Sequence, residues 1–134
     1  MIRYLRLAAI ALVALNCREA PAFVQPPASE YTAATFELAT ASLDTILGAA
    51  ISPQFFRVMA VRPLLGRLFI DSDYQPAGTL TAVISNDLWK RRFGAERAIV
   101  GRTIRLNGGD VVVVAVMPEN VEFPKGAAVW VPRR

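Results

Sequence analysis

The sequence contains no histidine and only one cysteine, Cys17. The first absence removes the side chain that most often acts as a general base near neutral pH and most often ligates metals. The second excludes an intrachain disulfide and any zinc site built from cysteines. Charged residues are sparse as well, 19% against 54% hydrophobic, a balance too apolar for a disordered chain. The net charge of +4 is mild and its carriers are scattered: Arg57, Arg62 and Arg67, then Lys90, Arg91 and Arg92. Aromatic residues do not interleave with them as a base-stacking platform requires, so nucleic acid is not an expected partner.

Long apolar runs are also missing, with one exception at residues 7–15, "LAAIALVAL". A spanning helix needs about 20 apolar residues, so this run is short for the purpose. It follows "MIRYLR", with two arginines, and a basic start before an apolar stretch is the pattern of a secretory signal. Ala20 and Ala22 supply small residues at the positions a signal peptidase reads. Residues 1–22 are therefore expected to be a signal peptide or short signal-anchor, with membrane association through residues 5–17. Cys17 directly after the run also suggests a lipoprotein site, although Leu15 and Asn16 fit that pattern poorly. An apolar helix packed on the domain is a further alternative.

The length allows one domain with its own core. Residues 23–35, "FVQPPASEYTAAT", are rich in Pro and Ala and have no sustained period, which predicts a linker before a domain at 36–134. Residues 36–51 alternate imperfectly, as one or two strands would. "SPQFFRVMAV" (52–61) predicts a short helix with Ser52 as N-cap and Pro53 at the first position, where its missing donor costs nothing. Phe55, Phe56, Val58 and Met59 form its expected buried face, and it should stop before Pro63. Residues 62–78 predict a loop with turns at Gly66 and at Pro76, Ala77 and Gly78.

"LTAVIS" (80–85) predicts a buried strand. Ser85 or Asn86 is expected to cap a helix over "DLWKRRFG", ended by Gly94, with Asp87 at its start and Arg91 and Arg92 at its end matching the helix dipole. Residues 95–101 predict one more turn. Residues 103–106 alternate, Asn107-Gly108 is a strong tight-hairpin signal, and the return strand from Val111 has no polar face. Its two faces should both be covered, and Pro118 should end it. "AAVWVP" closes the order with another strand. The expectation is an α+β domain: a small mixed β-sheet with short helices packed on one side, containing a β-hairpin around Asn107-Gly108.

No set of side chains points to catalysis. Asp71 and Asp73 share a loop, but the calcium-loop pattern of alternating acids and a distal Glu is absent. Asp110, Glu119 and Glu122 are expected near strand ends. "NGGD" (107–110) joins two strands and does not open a helix, so it is a turn and not a phosphate cradle. Ser85 lacks the Gly-x-Ser-x-Gly frame of a nucleophile elbow and has no histidine to activate it, which leaves capping as its expected role. Lys90, Arg91 and Arg92 suit a phosphate or lipid-headgroup contact or, more plainly, a solvated face. Trp89 and Trp130 are binding anchors or core. Catalytic, cofactor-binding and metal residues are all expected to be none, and the chain is not expected to be an enzyme.

Taken as a set, the motifs carry a family. "ISPQFFRVMAVRPLLGRLFIDSD" (51–73) and "AVISNDLWKRRFGAERAIVGRTIRLNGGDVVVVAVMPENVEFPKGAAVWVP" (82–132) resemble the MacB-like periplasmic core domain of FtsX-like ABC transporter permeases, a partial resemblance over about residues 43–132. The resemblance implies a domain at the periplasmic face of an inner-membrane permease that relays conformational change and contacts other proteins. Its implied partners are the permease remainder or an ABC ATPase subunit, and a periplasmic adaptor protein. It implies no catalytic or ligand residue. Against the family pattern, the chain has no four-helix membrane part, no P-loop and no second half of the core domain, so it is not expected to transport alone. A piece of this kind should leave a sheet edge or apolar surface uncovered. The alternative is a free-standing exported module that binds a small ligand or envelope component.

Overall fold

The computed structural model describes residues 24–134, so the signal, anchor and lipoprotein readings lie outside the described residues. The stretch read as a linker ends inside the domain. A 3-10 turn at Ala28–Glu30 leads directly into β1, Tyr31–Ala39, which pairs along its whole length with β2, Leu43–Ile51. Residues 36–51 are thus most of a long antiparallel hairpin. Its alternation is imperfect because β1 is largely exposed, and only Leu38 is fully buried in it.

Seven strands form one mixed sheet. After β2 come β3 (Leu65–Gly66), β4 (Thr81–Ile84), β5 (Thr103–Leu106), β6 (Gly109–Val116) and β7 (Val129–Pro132), in the order β3-β6-β4-β7-β2-β1-β5. β5 also pairs with β6, so the ladder returns on itself and curls the sheet. Asn107 and Gly108 hold φ of 51° and 79° at the β5–β6 turn, the positive values that a tight hairpin requires. β6 lies between β4 on one edge and β5 and β3 on the other, which accounts for a valine run with no polar face.

Two short helices cover the sheet. α1 is Phe55–Met59 and α2 is Asn86–Phe93. α2 matches its sequence signals: the Ser85 hydroxyl accepts from the Leu88 N–H at 3.1 Å, and Gly94 closes the helix at φ 64°. α1 departs from them. The Ser52 hydroxyl donates to Glu30 Oε2 at 2.6 Å and caps nothing, because the Ser52 carbonyl, and not its side chain, turns toward the helix and accepts from Phe55 N–H. The helix stops at Ala60, in the left-handed conformation, ahead of the proline that was expected to end it. Phe55, Phe56 and Met59 are buried, whereas Val58 is 36% exposed.

The helices lie on two sides, not one. α2 contributes Leu88 and Trp89 to a core with Leu38, Ile84, Ile104, Leu106, Val113 and Val129. α1 contributes Phe55, Phe56 and Met59 to a second core with Ile51, Val83, Ala115, Met117 and Trp130. Adjacent residues of β4 and β7 divide between the two, as side chains alternate across a sheet. A bulge adjusts the division in β6. The partner of β4 passes from Val113, opposite Ala82, to Ala115, opposite Val83, so Val114 is the extra residue. Its carbonyl accepts the Arg67 N–H at 2.9 Å and docks the loop that follows α1.

Candidate functional site

Most of the side chains singled out in the sequence are committed to structure. Asp73 is buried; its Oδ2 accepts from Arg67 Nη1 and from the Ile70 N–H, both at 2.8 Å. Burial pushes its carboxyl up, but the hydrogen bonds from Arg67 and Ile70 and the Arg67 charge outweigh that and hold it below the ordinary carboxylate range. Asp71, two residues away, is exposed. Asp110 pairs with Arg105 at 3.2 Å across the β5–β6 hairpin. Among the described residues no group of three or more His, Cys, Asp or Glu side chains could hold a metal ion.

The basic triplet divides three ways. Lys90 pairs with Glu119 at 2.6 Å, and Arg91 with Asp87 one helical turn back at 2.6 Å. Arg92 reaches the β1–β2 turn, pairing with Asp44 and donating to Thr40 and Ser42. Both tryptophans are core residues: Trp89 Nε1 donates to the Glu96 carbonyl at 2.8 Å, and Trp130 Nε1 to that of Phe123 at 2.9 Å. Ser85, as described, is a cap.

Two further surfaces stand out among the described residues. The first is the outer edge of β1. From Tyr31 to Phe36 this strand pairs with β2 alone, since β5 reaches only Leu38 and Ala39. Glu37 exchanges both its backbone groups with Asn107, its N–H donating to Oδ1 at 2.8 Å and its carbonyl accepting the Asn107 N–H at 2.9 Å. By alternation, Thr35 and Ala33 turn their N–H and C=O to the same open side. Ala33, Ala34 and Thr35 border an apolar recess of about 260 Å³ with Leu47, Pro124 and Ala127, and Leu47 is 51% exposed.

The second surface is a groove of about 470 Å³ between α1 and the loop after it. Phe56, Val61, Leu68 and Phe69 line it with apolar surface, and Arg57 and Arg62, both exposed, line it as well. Tyr74 closes one end, its hydroxyl donating to the Ser52 carbonyl at 3.1 Å. Burial and the Asp73 charge push that hydroxyl up to about 12, against the opposing charges of Arg133 and Arg57. A sequence signal for the groove existed only in part: Arg57 and Arg62 are visible, but the loop that brings Leu68 and Phe69 against α1 depends on the Val114 bulge.

With this geometry in view, comparison with known proteins gives a consistent result. A sequence model of the family described as "MacB-like periplasmic core domain" matches residues 5–134, and so takes in β1 and residues upstream of the quoted motifs. The extracellular domain of the noncanonic ABC-type transporter YknZ from Gram-positive bacteria is similar in fold, with a TM-score of 0.63 at 19% identity over 77% of this chain and 52% of that one. The periplasmic region of MacB from Actinobacillus actinomycetemcomitans is similar to the same degree, with a TM-score of 0.63 at 19% identity over 87% of this chain and 52% of that one. The chain thus spans about half the length of these solved domains. No curated protein matches. No helix among the described residues is long and apolar enough to cross a membrane. The match across nearly the whole chain, on a fold shared with two transporter domains, establishes that this chain belongs to the MacB-like periplasmic core domain family.

Proposed function

We propose that the chain is the extracytoplasmic core-domain element of an ABC-type efflux or export permease, held at the periplasmic face of the inner membrane. It acts by contact, passing conformational change between the permease remainder or its ATPase subunit and a periplasmic adaptor, and does not transport alone. The observation that carries this reading is the open edge of β1. Outward N–H and C=O groups at Ala33 and Thr35, beside an apolar recess at Leu47, are suited to receiving a strand from a partner. Asp73, Ser85, Lys90, Arg91 and Arg92, in contrast, are spent on a cap and on ion pairs within the domain.

Ala33→Pro tests this directly. Ala33 turns its N–H away from β2, so proline there removes a donor to the partner and leaves the β1–β2 ladder intact. The expected outcome is an unchanged circular dichroism spectrum together with loss of co-purification with the permease remainder and adaptor. Full co-purification by a folded Ala33→Pro protein would reject the contact reading.

A further inference from the structure

We infer that the groove between α1 and its following loop is a binding site for a single-chain anionic amphiphile, a free long-chain carboxylate, with the tail along Phe56, Val61, Leu68 and Phe69 and the head at Arg57 and Arg62. Its volume of about 470 Å³ falls within the roughly 300–1,000 Å³ of small-molecule sites. Apolar and aromatic side chains share the lining with the two arginines.

Charge decides the sign of the ligand. Six cations of the domain are neutralised by acids: Arg67, Lys90, Arg91, Arg92, Arg102 and Arg105. Arg57 and Arg62 have no acidic partner and no hydrogen bond among the described residues. Among the described residues no acid lines the groove, and Asp73, next to its lining residue Tyr74, is already bound to Arg67 and Ile70. Two guanidinium groups over an apolar floor favour a carboxylate, which each can hold by charge-assisted hydrogen bonds. An extended peptide would also need backbone partners, and the lining is a helix face and loop side chains. A small amphiphile needs none. This inference is independent of the permease reading, which rests on the opposite feature, the β1 edge.

The test is calorimetric titration of the full chain with dodecanoate below its micellar concentration, beside dodecanol and dodecyltrimethylammonium. Saturable one-to-one dodecanoate binding is expected, with both other probes much weaker. Arg57→Gln with Arg62→Gln should weaken dodecanoate by about thirtyfold, and the thermal midpoint should be little changed because neither arginine holds the fold. Arg57→Glu with Arg62→Glu should reverse the preference, giving measurable binding of dodecyltrimethylammonium. Several results would overturn the assignment: no saturable binding of dodecanoate, equal binding of all three probes, or binding indifferent to the arginine pair. Concentration-dependent dimerisation abolished by the glutamate pair, without dodecanoate binding, would give the face to a second copy and would overturn it as well.

Discussion

The two cores on either side of the sheet are built from different materials. The α2 side is mainly aliphatic, with Leu38, Ile84, Ile99, Ile104, Leu106 and a set of valines around Trp89, and with Phe36 and Phe93 packed at its margin. The α1 side is a network of rings. Phe55 and Phe56 meet edge to face at 5.3 Å, Phe56 meets Trp130 at 5.7 Å, and Tyr31 meets Phe55 and Phe123 at 5.7 and 5.2 Å. Most of the aliphatic packing comes from residues 82–116, strands and a helix near one another in the chain, with Leu38 and Val129 added from β1 and β7. Ring packing gathered the start of β1, α1, the loop at 68–69 and residue 123, which share no period and no neighbourhood in the chain. The first core is made by alternation, the second by long-range closure of loops onto the sheet.

Mutations at adjacent residues of β7 should separate the two. Trp130→Ala, on the ring side, leaves a large cavity and orphans the Phe123 carbonyl, and should cost about 4 kcal/mol in urea unfolding. Val129→Ala, one residue away on the aliphatic side, should cost about half as much. Equal losses would show that the two cores do not differ in the way described. Gly66→Ala strikes the loop that seals the ring side. Its φ is +78° and a Cβ there would stand 2.0 Å from the Val114 carbonyl oxygen, so a loss of about 3 kcal/mol is expected.

Asp73 sharpens the comparison through pH, since it anchors the same loop. Its carboxyl is held below the 3.8 of an unperturbed Asp, so its contribution is complete above that value and fades as pH falls through the lower folded one. Asp73→Asn should remove that acid-side slope from the urea midpoint and cost about 2 kcal/mol at neutral pH, through the weakened hold on Arg67 and the Ile70 N–H. On the aliphatic side the smaller effects are helix-end effects. Ser85→Ala should cost about 1 kcal/mol by releasing the Leu88 N–H. Asp87→Ala, which loses an exposed pair with Arg91 one turn along, should cost no more than about 0.5 kcal/mol.

The same contrast explains what the sequence could disclose. The β4–α2 unit, with Ser85 and Gly94 at the helix ends, and the Asn107-Gly108 hairpin are local: each is specified by residues within a few positions, and each was legible. The first strand was missed as far as Tyr31 because prolines and small residues there resemble a linker. It is β2, through nine paired residues, that makes a strand of it. Ser52 was assigned to α1 by the rule for helix caps, but Glu30, brought close by the β1–β2 pairing, competes for its hydroxyl. The placement of the helices on opposite faces depends on which strand neighbours which, and the parallel β2–β7 and β4–β6 pairings carry no local signal. The groove belongs to the same class, since its far wall arrives only through the Val114 bulge.

Strand β7 has its own mechanical consequence. It is flanked on both sides, parallel to β2 and antiparallel to β4, and the two residues after it are tied down in opposite directions. Arg133 donates to the Ser29 carbonyl at 2.8 Å, and Arg134 to the carbonyls of Asp73 and Thr79 at 3.1 and 2.8 Å. Tension along the chain at Arg134 would therefore load two ladders in shear, where several bonds must part together, and would pull on the 73–79 loop before reaching the sheet. β1, with one ladder over most of its length, would peel bond by bond under the same force.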